Sequence, residues 1–230
     1  MKRARNGWSI LGTALIWLAG MGISHAVMTA TKTAAAWKVS HPVVLIVGDS
    51  LSAGYGLETG KGWASLLARR MVQQFPAWRV VNASVSGDTT AGGLSRLPAL
   101  LERDHPAVVI LELGGNDALR GLPLATTQAN LKSMVQLSKA EGSRVLLLGM
   151  QIPPNYGQVY TQRFLAIFPA VAHSEQVALV PFFLAGVVHH PSWFQNDNIH
   201  PTAIAQPVML NTVWPHLLPL LRAVQQHVVK

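Results

Sequence analysis

Five short apolar runs, largely β-branched, recur along this chain and restrict its fold more than any other feature. The sharpest is Val43-Val44-Leu45-Ile46-Val47, closed by Gly48; the others cover 79–85, 107–113, 144–150 and 177–183. Continuous apolar runs of this length, bounded by turn formers, are the pattern of strands covered on both faces in a parallel sheet. Between them the apolar spacing changes to three and four residues. Trp63, Leu66, Leu67, Arg70 and Met71 trace one helical face. Leu94, Leu97, Leu100 and Leu101 trace another, and Leu131, Met134, Val135 and Leu137 a third. Alternation of this kind, with right-handed crossovers, predicts an α/β fold: a doubly wound three-layer α/β/α sandwich around a five-stranded parallel sheet. A last helix is expected over about 202–226, with Pro207, Pro215 and Pro219 ending or kinking parts of it. No repeat, low-complexity tract or linker divides residues 42–230, which read as one domain. Half the residues of the chain are apolar, enough to fill a core of that size.

The segment ahead of that domain reads as an address. Lys2, Arg3 and Arg5 precede an uncharged apolar stretch from Trp8 to Ile23, and Ser24-His25-Ala26 places small residues where a signal peptidase reads. Residues 1–26 are expected to be a removable signal, cut after Ala26 with Ala30 or Ala36 as alternative points, and 27–41 a flexible arm. An uncleaved anchor is the competing reading, although the apolar stretch falls short of the ~20 residues a spanning helix needs. The expected location is periplasmic or secreted.

Charge and cysteine content exclude several function classes. Eighteen Lys and Arg against ten Asp and Glu give +8, which loss of residues 1–26 lowers to +5. Beyond those residues the basic side chains are scattered singly, apart from Arg69-Arg70, without interleaved aromatics. No nucleic-acid partner is expected. A mildly cationic surface fits transient contact with a lipid surface. The absence of cysteine rules out a disulfide scaffold, a thiol nucleophile, a zinc ribbon and a cysteine-linked lipid anchor.

Ligands of open α/β sheets bind beyond the carboxyl ends of the strands, and the polar residues of this chain collect there. The first run ends in Gly48-Asp49-Ser50-Leu51, where a tight strand-to-helix turn would expose the serine hydroxyl. The second leads to Ser86-Gly87-Asp88-Thr89-Thr90, where Gly87 presents an unhindered N–H and Asp88 or Thr89 caps a following helix. The third ends in Glu112-Leu113-Gly114-Gly115-Asn116-Asp117, with a side-chain amide able to donate to a developing oxyanion. Near the last helix, Asp197 precedes His200 by three residues, close enough in a turn to fix the tautomer of the imidazole as a general base. Each block alone has a plain alternative: a capping serine, a capping loop, a turn-forming asparagine, a helix start opened by Pro201. Their conjunction in order meets the requirement for serine-based acyl transfer, namely nucleophile, oxyanion donors and oriented base.

These blocks resemble the four signature blocks of the SGNH (GDSL) hydrolase family. The likeness runs through Ser52-Ala53-Gly54-Tyr55-Gly56, residues 82–101, Ala118-Leu119-Arg120-Gly121, Pro153-Pro154-Asn155-Tyr156-Gly157 and Ile199-His200-Pro201, and covers about 42–222. Within the family it is nearest to bacterial periplasmic enzymes that combine acyl-CoA thioesterase, lysophospholipase and arylesterase activities. It departs from them in the amino-terminal arm and the proline-rich last helix. The resemblance implies the flavodoxin-like SGNH fold, Ser50 as nucleophile, His200 as base and Asp197 as its orienter. It also implies an oxyanion hole from the N–H groups of Ser50 and Gly87 and the carboxamide of Asn116. The implied substrates are small acyl esters and thioesters, with no cofactor and no metal, and a monomer is expected.

Leu119, Leu122, Pro153, Pro154 and Tyr156 are candidates for an acyl-chain groove, although ordinary loop packing fits the same residues. His189 and His190 have no spaced carboxylate partner nearby and read as exposed loop residues rather than a metal site. Asp49 is expected to accept hydrogen bonds within its turn, and Asp117 to brace its loop. Two other functions compete: a carbohydrate deacetylase built on the same four blocks, and a non-catalytic acyl-lipid binding module.

Overall fold

The computed structural model describes residues 41–228. The expected signal segment, residues 1–26, and nearly all of the arm lie outside them. Five parallel strands form one sheet: β1 (Val43–Gly48), β2 (Arg79–Asn82), β3 (Val108–Glu112), β4 (Arg144–Leu148) and β5 (Ala178–Val180), in the order β2-β1-β3-β4-β5. Among the described residues seven α-helices connect and flank them: α1 (Ser50–Ala53), α2 (Trp63–Gln74), α3 (Thr90–Asp104), α4 (Gly115–Leu119), α5 (Leu124–Ala140), α6 (Gln158–Glu175) and α7 (Gln206–Val228). Helices α2 and α7 pack together, while α3, α5 and α6 pack in series, giving the two outer layers. The α/β sandwich expected from the apolar runs is the fold observed.

Of the three central strands, β1 and β3 are buried along their whole length and β4 at every residue after the half-buried Arg144. Their Val, Leu and Ile side chains each contribute ~1.5–3 kcal/mol on burial and make the sheet centre the rigid frame of the molecule. The outer runs differ from expectation. β2 and β5 are the sheet edges, are only partly covered, and stop earlier than the apolar runs that carry them. At β2 the Asn82 side chain turns to the carbonyl of Ser52 and to the N–H of Ser84. At β5, Pro181 has no N–H to continue a ladder.

Two helical expectations are also corrected. Leu137 is exposed rather than part of the buried face of α5, which is formed by Leu131, Met134 and Val135. The last helix begins at Gln206, not near 202, and continues through its prolines. Val213, Leu217 and Leu221 face the core at intervals of four, while Pro215 and Pro219 fall on the solvent side. There water can satisfy the carbonyls that a proline leaves unpaired. Among the described residues no helix is long and apolar enough to cross a membrane.

The strand order places the topological switch between β1 and β3, where the chain leaves β1 toward opposite sides of the sheet. In a sheet of this order the crevice beyond the strand ends at that point is the default ligand site. Gly48, the last residue of β1, is in register with Glu112, the last of β3.

Candidate active site

Ser50 is the first residue of α1, immediately after β1. Asp49 caps this helix by accepting from the N–H of Leu51 at 3.1 Å, and Gly54 closes it in the left-handed region at φ 77°. As the first helical residue, Ser50 has an N–H without an acceptor in its own helix. Gly48 has to be glycine for space: a Cβ there would lie 2.8 Å from the Glu112 carboxylate and 2.8 Å from the Ser52 Cβ.

His200 reaches Ser50 from a chain distance of 150 residues. Its Nε2 lies 2.8 Å from Ser50 Oγ, and its Nδ1 lies 2.6 Å from Asp197 Oδ2. The turn is built locally: Asp197 Oδ1 accepts from the N–H groups of Ile199 and His200, and Asn198 takes a left-handed φ of 57°. The His200 amide first, and then its ring, hold the Asp197 carboxyl down to about 2. An ionised carboxylate only accepts, so Nδ1 carries the ring proton and Nε2 is left to accept from the Ser50 hydroxyl.

Gly87 lies at φ 78°, a conformation that excludes most side chains, and its carbonyl accepts from Arg120 at 2.8 Å. Thr89, rather than Asp88, caps α3 with its side chain, accepting from the N–H of Gly92. Asp88 instead pairs with Arg96 at 2.8 Å, and the same guanidinium donates to the carbonyls of Ala83 and Gly48. Arg96 thereby ties the ends of two strands together.

Asn116 lies within the short helix α4, not in a turn. Its carboxamide donates to Asp49 Oδ2 at 3.1 Å and to the Asp88 carbonyl at 2.9 Å, joining the first three blocks. Asp117 braces the loop from below, accepting from the N–H and hydroxyl of Thr90 and from Thr127. Burial pushes the Asp49 carboxyl up to about 6, against the lowering effect of the Leu51 N–H, of His200 and of Asn116.

The groove candidates are less gathered. Leu119 is partly buried against the core, whereas Leu122, Pro153, Pro154 and Tyr156 are exposed. Their two segments are linked by Tyr160, whose hydroxyl donates toward the carbonyls of Ala118 and Leu122. None of the five lines the shallow indentation beside Ser50, which is formed by Leu51, Gly54, Tyr55, Leu57, His200, Pro201 and Gln206. His189 and His190 are exposed, and the ring of His190 stacks on Trp193 with centroids 4.0 Å apart. Among the described residues no cluster of His, Asp or Glu could hold a metal ion.

Several neighbours of the site carry no role that the sequence alone assigns. Tyr55 lies against the His200 ring with centroids 4.5 Å apart, and Gln195 donates to the Tyr55 carbonyl. Glu112 is fully buried at the end of an apolar strand. That last feature was visible in the sequence as the one charge within the run 107–113.

Comparison with known proteins adds the lineage. A model of the GDSL-like Lipase/Acylhydrolase family matches residues 46–206. The chain is 56% identical to the protein named Esterase TesA of Pseudomonas aeruginosa over 178 residues, 77% of this chain and 89% of that one. It is 44% identical to the protein named Thioesterase 1/protease 1/lysophospholipase L1 of Escherichia coli K12, over 77% of this chain and 84% of that one. A crystal structure of TesA superposes with a TM-score of 0.75 at 55% identity, covering 77% of this chain and 99% of that one.

Proposed function

This chain belongs to the GDSL-like lipase/acylhydrolase family and is a hydrolase of ester bonds, and from that premise we propose that it cleaves acyl esters and thioesters through an acyl-enzyme on Ser50. The observation that carries the reading is the unbroken chain from Ser50 Oγ to His200 Nε2 at 2.8 Å and from His200 Nδ1 to Asp197 at 2.6 Å. His200 takes the hydroxyl proton as Ser50 attacks the carbonyl carbon, and Asp197 stabilises the imidazolium that forms. His200 returns that proton to the leaving alcohol or thiol. Water, deprotonated by the same imidazole, then releases the acid and restores Ser50.

The oxyanion is received by the N–H groups of Ser50 and Gly87 and by the Asn116 carboxamide. Both Asn116 protons already have acceptors, Asp49 and the Asp88 carbonyl. Donation to an oxyanion therefore means sharing or releasing one of them. Exchanging the neutral Asp88 carbonyl for the charged oxyanion, with Asp49 still holding the amide in place, favours the transition state over the ground state.

The names of the relatives, an esterase and a thioesterase and lysophospholipase, support small acyl esters and thioesters as substrates. Leu119, Leu122, Pro153, Pro154 and Tyr156 are proposed to receive the acyl chain, with a lipid surface as a transient partner. The reading of residues 1–26 as a cleaved signal places the working enzyme in the periplasm or outside the cell, which N-terminal sequencing of the recovered protein tests.

The decisive experiment is labelling with a fluorophosphonate probe. The wild-type protein should be tagged at Ser50 and Ser50→Ala should not; persistent tagging of that variant moves the nucleophile elsewhere. A series of p-nitrophenyl esters of increasing chain length, beside acyl-CoA, lysophospholipid and an acetylated sugar, then fixes the acyl preference. Best turnover of the acetylated sugar replaces the lipid reading with a deacetylase, and lipid binding without acid release replaces it with a carrier.

A further inference from the structure

Behind the nucleophile turn lies a carboxyl group that the proposed chemistry does not use. Glu112 ends β3 with no exposed surface, between the sheet and the turn that carries Ser50. One oxygen, Oε2, accepts the Ser52 hydroxyl at 2.6 Å and faces the N–H of Asp49 at 3.4 Å. Ser52 in turn accepts from the Trp63 indole at 3.2 Å. The other oxygen, Oε1, is buried and makes no hydrogen bond to any described residue. The carboxyl is packed so closely under Gly48 that no side chain fits there. Glu112 thus touches residues 48, 49 and 52, on both sides of Ser50.

We infer that Glu112 is a positioning residue that works as a neutral carboxylic acid, fixing the turn that presents Ser50 through Ser52 and Asp49. The inference rests on Ser50 being the nucleophile, as proposed above. An ionised carboxylate with a bare buried oxygen would be costly, and a proton on Oε1 removes the buried charge while leaving Oε2 free to accept from Ser52 and Asp49; the unpaired O–H that results costs less than the charge. The surrounding charges agree. Asp49, contributed by the nucleophile turn, is a second buried carboxyl beside it, and two such groups do not both ionise readily. Arg96, which reaches toward Gly48 from α3, is already paired with Asp88. Desolvation first and the Asp49 charge second hold Glu112 well above the usual carboxylate range. The proton stays on Glu112, which leaves Asp49 as the group able to ionise and to hold the Asn116 amide.

The test uses the full chain with Glu112→Ala, Glu112→Gln and Ser52→Ala, read by steady-state kinetics, thermal melting and infrared difference spectroscopy. A glutamine keeps the carbonyl toward Ser52 and Asp49 and, like the neutral acid, carries no charge, so it should restore kcat to within a few-fold of wild type. Glu112→Ala, and Ser52→Ala to a smaller degree, should lower kcat by up to about 10²-fold with KM nearly unchanged, the scale of a small misplacement of a reacting group. The wild-type minus Glu112→Gln spectrum should contain the carbonyl stretch of a protonated carboxylic acid at neutral pH. Absence of that band, or a Glu112→Gln enzyme as slow as Glu112→Ala, overturns the neutral acid. Variants that melt earlier yet keep wild-type kcat overturn the positioning role. Where Glu112→Ala does not fold, Glu112→Gln and Ser52→Ala still decide. If wild-type Ser50 is not tagged by the fluorophosphonate, the proposed mechanism fails instead, and the infrared band still reports the state of Glu112.

Discussion

Replacing Asn116 with alanine separates catalysis from stability at one residue, because its carboxamide holds two acceptors in the resting protein and is proposed to serve a third during turnover. Loss of one oxyanion donor removes ~3–4 kcal/mol of transition-state stabilisation, so kcat should fall by about 10²–10³-fold while KM changes little. The resting state is also weakened. Asp49 Oδ2, in a residue only 3% exposed, loses its bond to Asn116 Nδ2, and the Asp88 carbonyl loses its own. A buried acceptor left unpaired costs ~1–3 kcal/mol, which in a domain of this size is roughly 2–12 °C in Tm. The pH dependence has a definite sign. Asn116 lowers the Asp49 pKa from what burial alone would impose, and with that help it stands at about 6. Without it the native state of the variant retains a proton on Asp49 to higher pH than wild type does, so its stability deficit grows as pH rises above about 6 and shrinks below it. Hydrolysis of a p-nitrophenyl ester at saturating substrate, with melting curves at pH 5 and pH 8, reads both effects. A folded Asn116→Ala protein whose kcat stays within about 3-fold of wild type removes the amide from the oxyanion hole. A deficit larger at pH 5 than at pH 8 refutes the account of Asp49.

Two further outcomes are expected. Asp197→Asn should lower kcat by about 10⁴-fold by freeing the imidazole tautomer, while a fluorophosphonate still tags Ser50 slowly. Because the Asp197 pKa is depressed from 3.8 to about 2, the stability it gives is complete above pH 4 and lost as pH falls toward 2; the melting advantage of wild type over Asp197→Asn should vanish across that window. Gly93→Ala should destabilise by ~1–3 kcal/mol, since its Cβ would fall 2.2 Å from the buried Leu113 Cδ1, where α3 meets the loop after β3; an unchanged Tm would show that Leu113 can move aside.

What the sequence made legible follows from which forces are local. The runs at β1, β3 and β4 were readable because strands covered on both faces cannot tolerate polar residues, so composition alone marks them. The outer runs reach past the strands because apolar composition does not show the local departures that end them, the Asn82 side chain turning to Ser52 and Ser84 and Pro181 lacking an N–H. Leu137 was misplaced on the buried face because periodicity does not say how far a neighbouring helix reaches. Pro215 and Pro219 were read as breaks, though their spacing of four, matching Val213 and Leu217, already put them on one exposed stripe. At the site, the pairing of Asp197 with His200 was legible because three residues of turn bring them together. The approach of His200 to Ser50 follows from the order of blocks and the family resemblance rather than from any local force, and Glu112, though it opens the third block, shows no role in the sequence because a charge at a strand end does not reveal what packs against it.

The contact between base and nucleophile therefore has to be enforced by something other than sequence proximity, and two glutamines supply it. Gln206, 1% exposed at the start of α7, accepts from the N–H of Trp63 at the start of α2 and donates to the carbonyls of Pro201 and Thr202. Gln195 donates to the carbonyls of Tyr55 and Pro201, and its own N–H is bonded to the His200 carbonyl. Both therefore clamp Pro201, the residue just after His200: Gln195 ties it to Tyr55, and Gln206, which lines the indentation beside the serine, ties it to the start of α2. Gly56 is part of the same clamp, because a Cβ there would come within 2.1 Å of Gln195 Oε1. A base carried on a free loop would sample many distances from the serine. Primary amides that bond both segments convert that loop into a fixed arm, which is the preorganisation that a proton transfer over 2.8 Å requires.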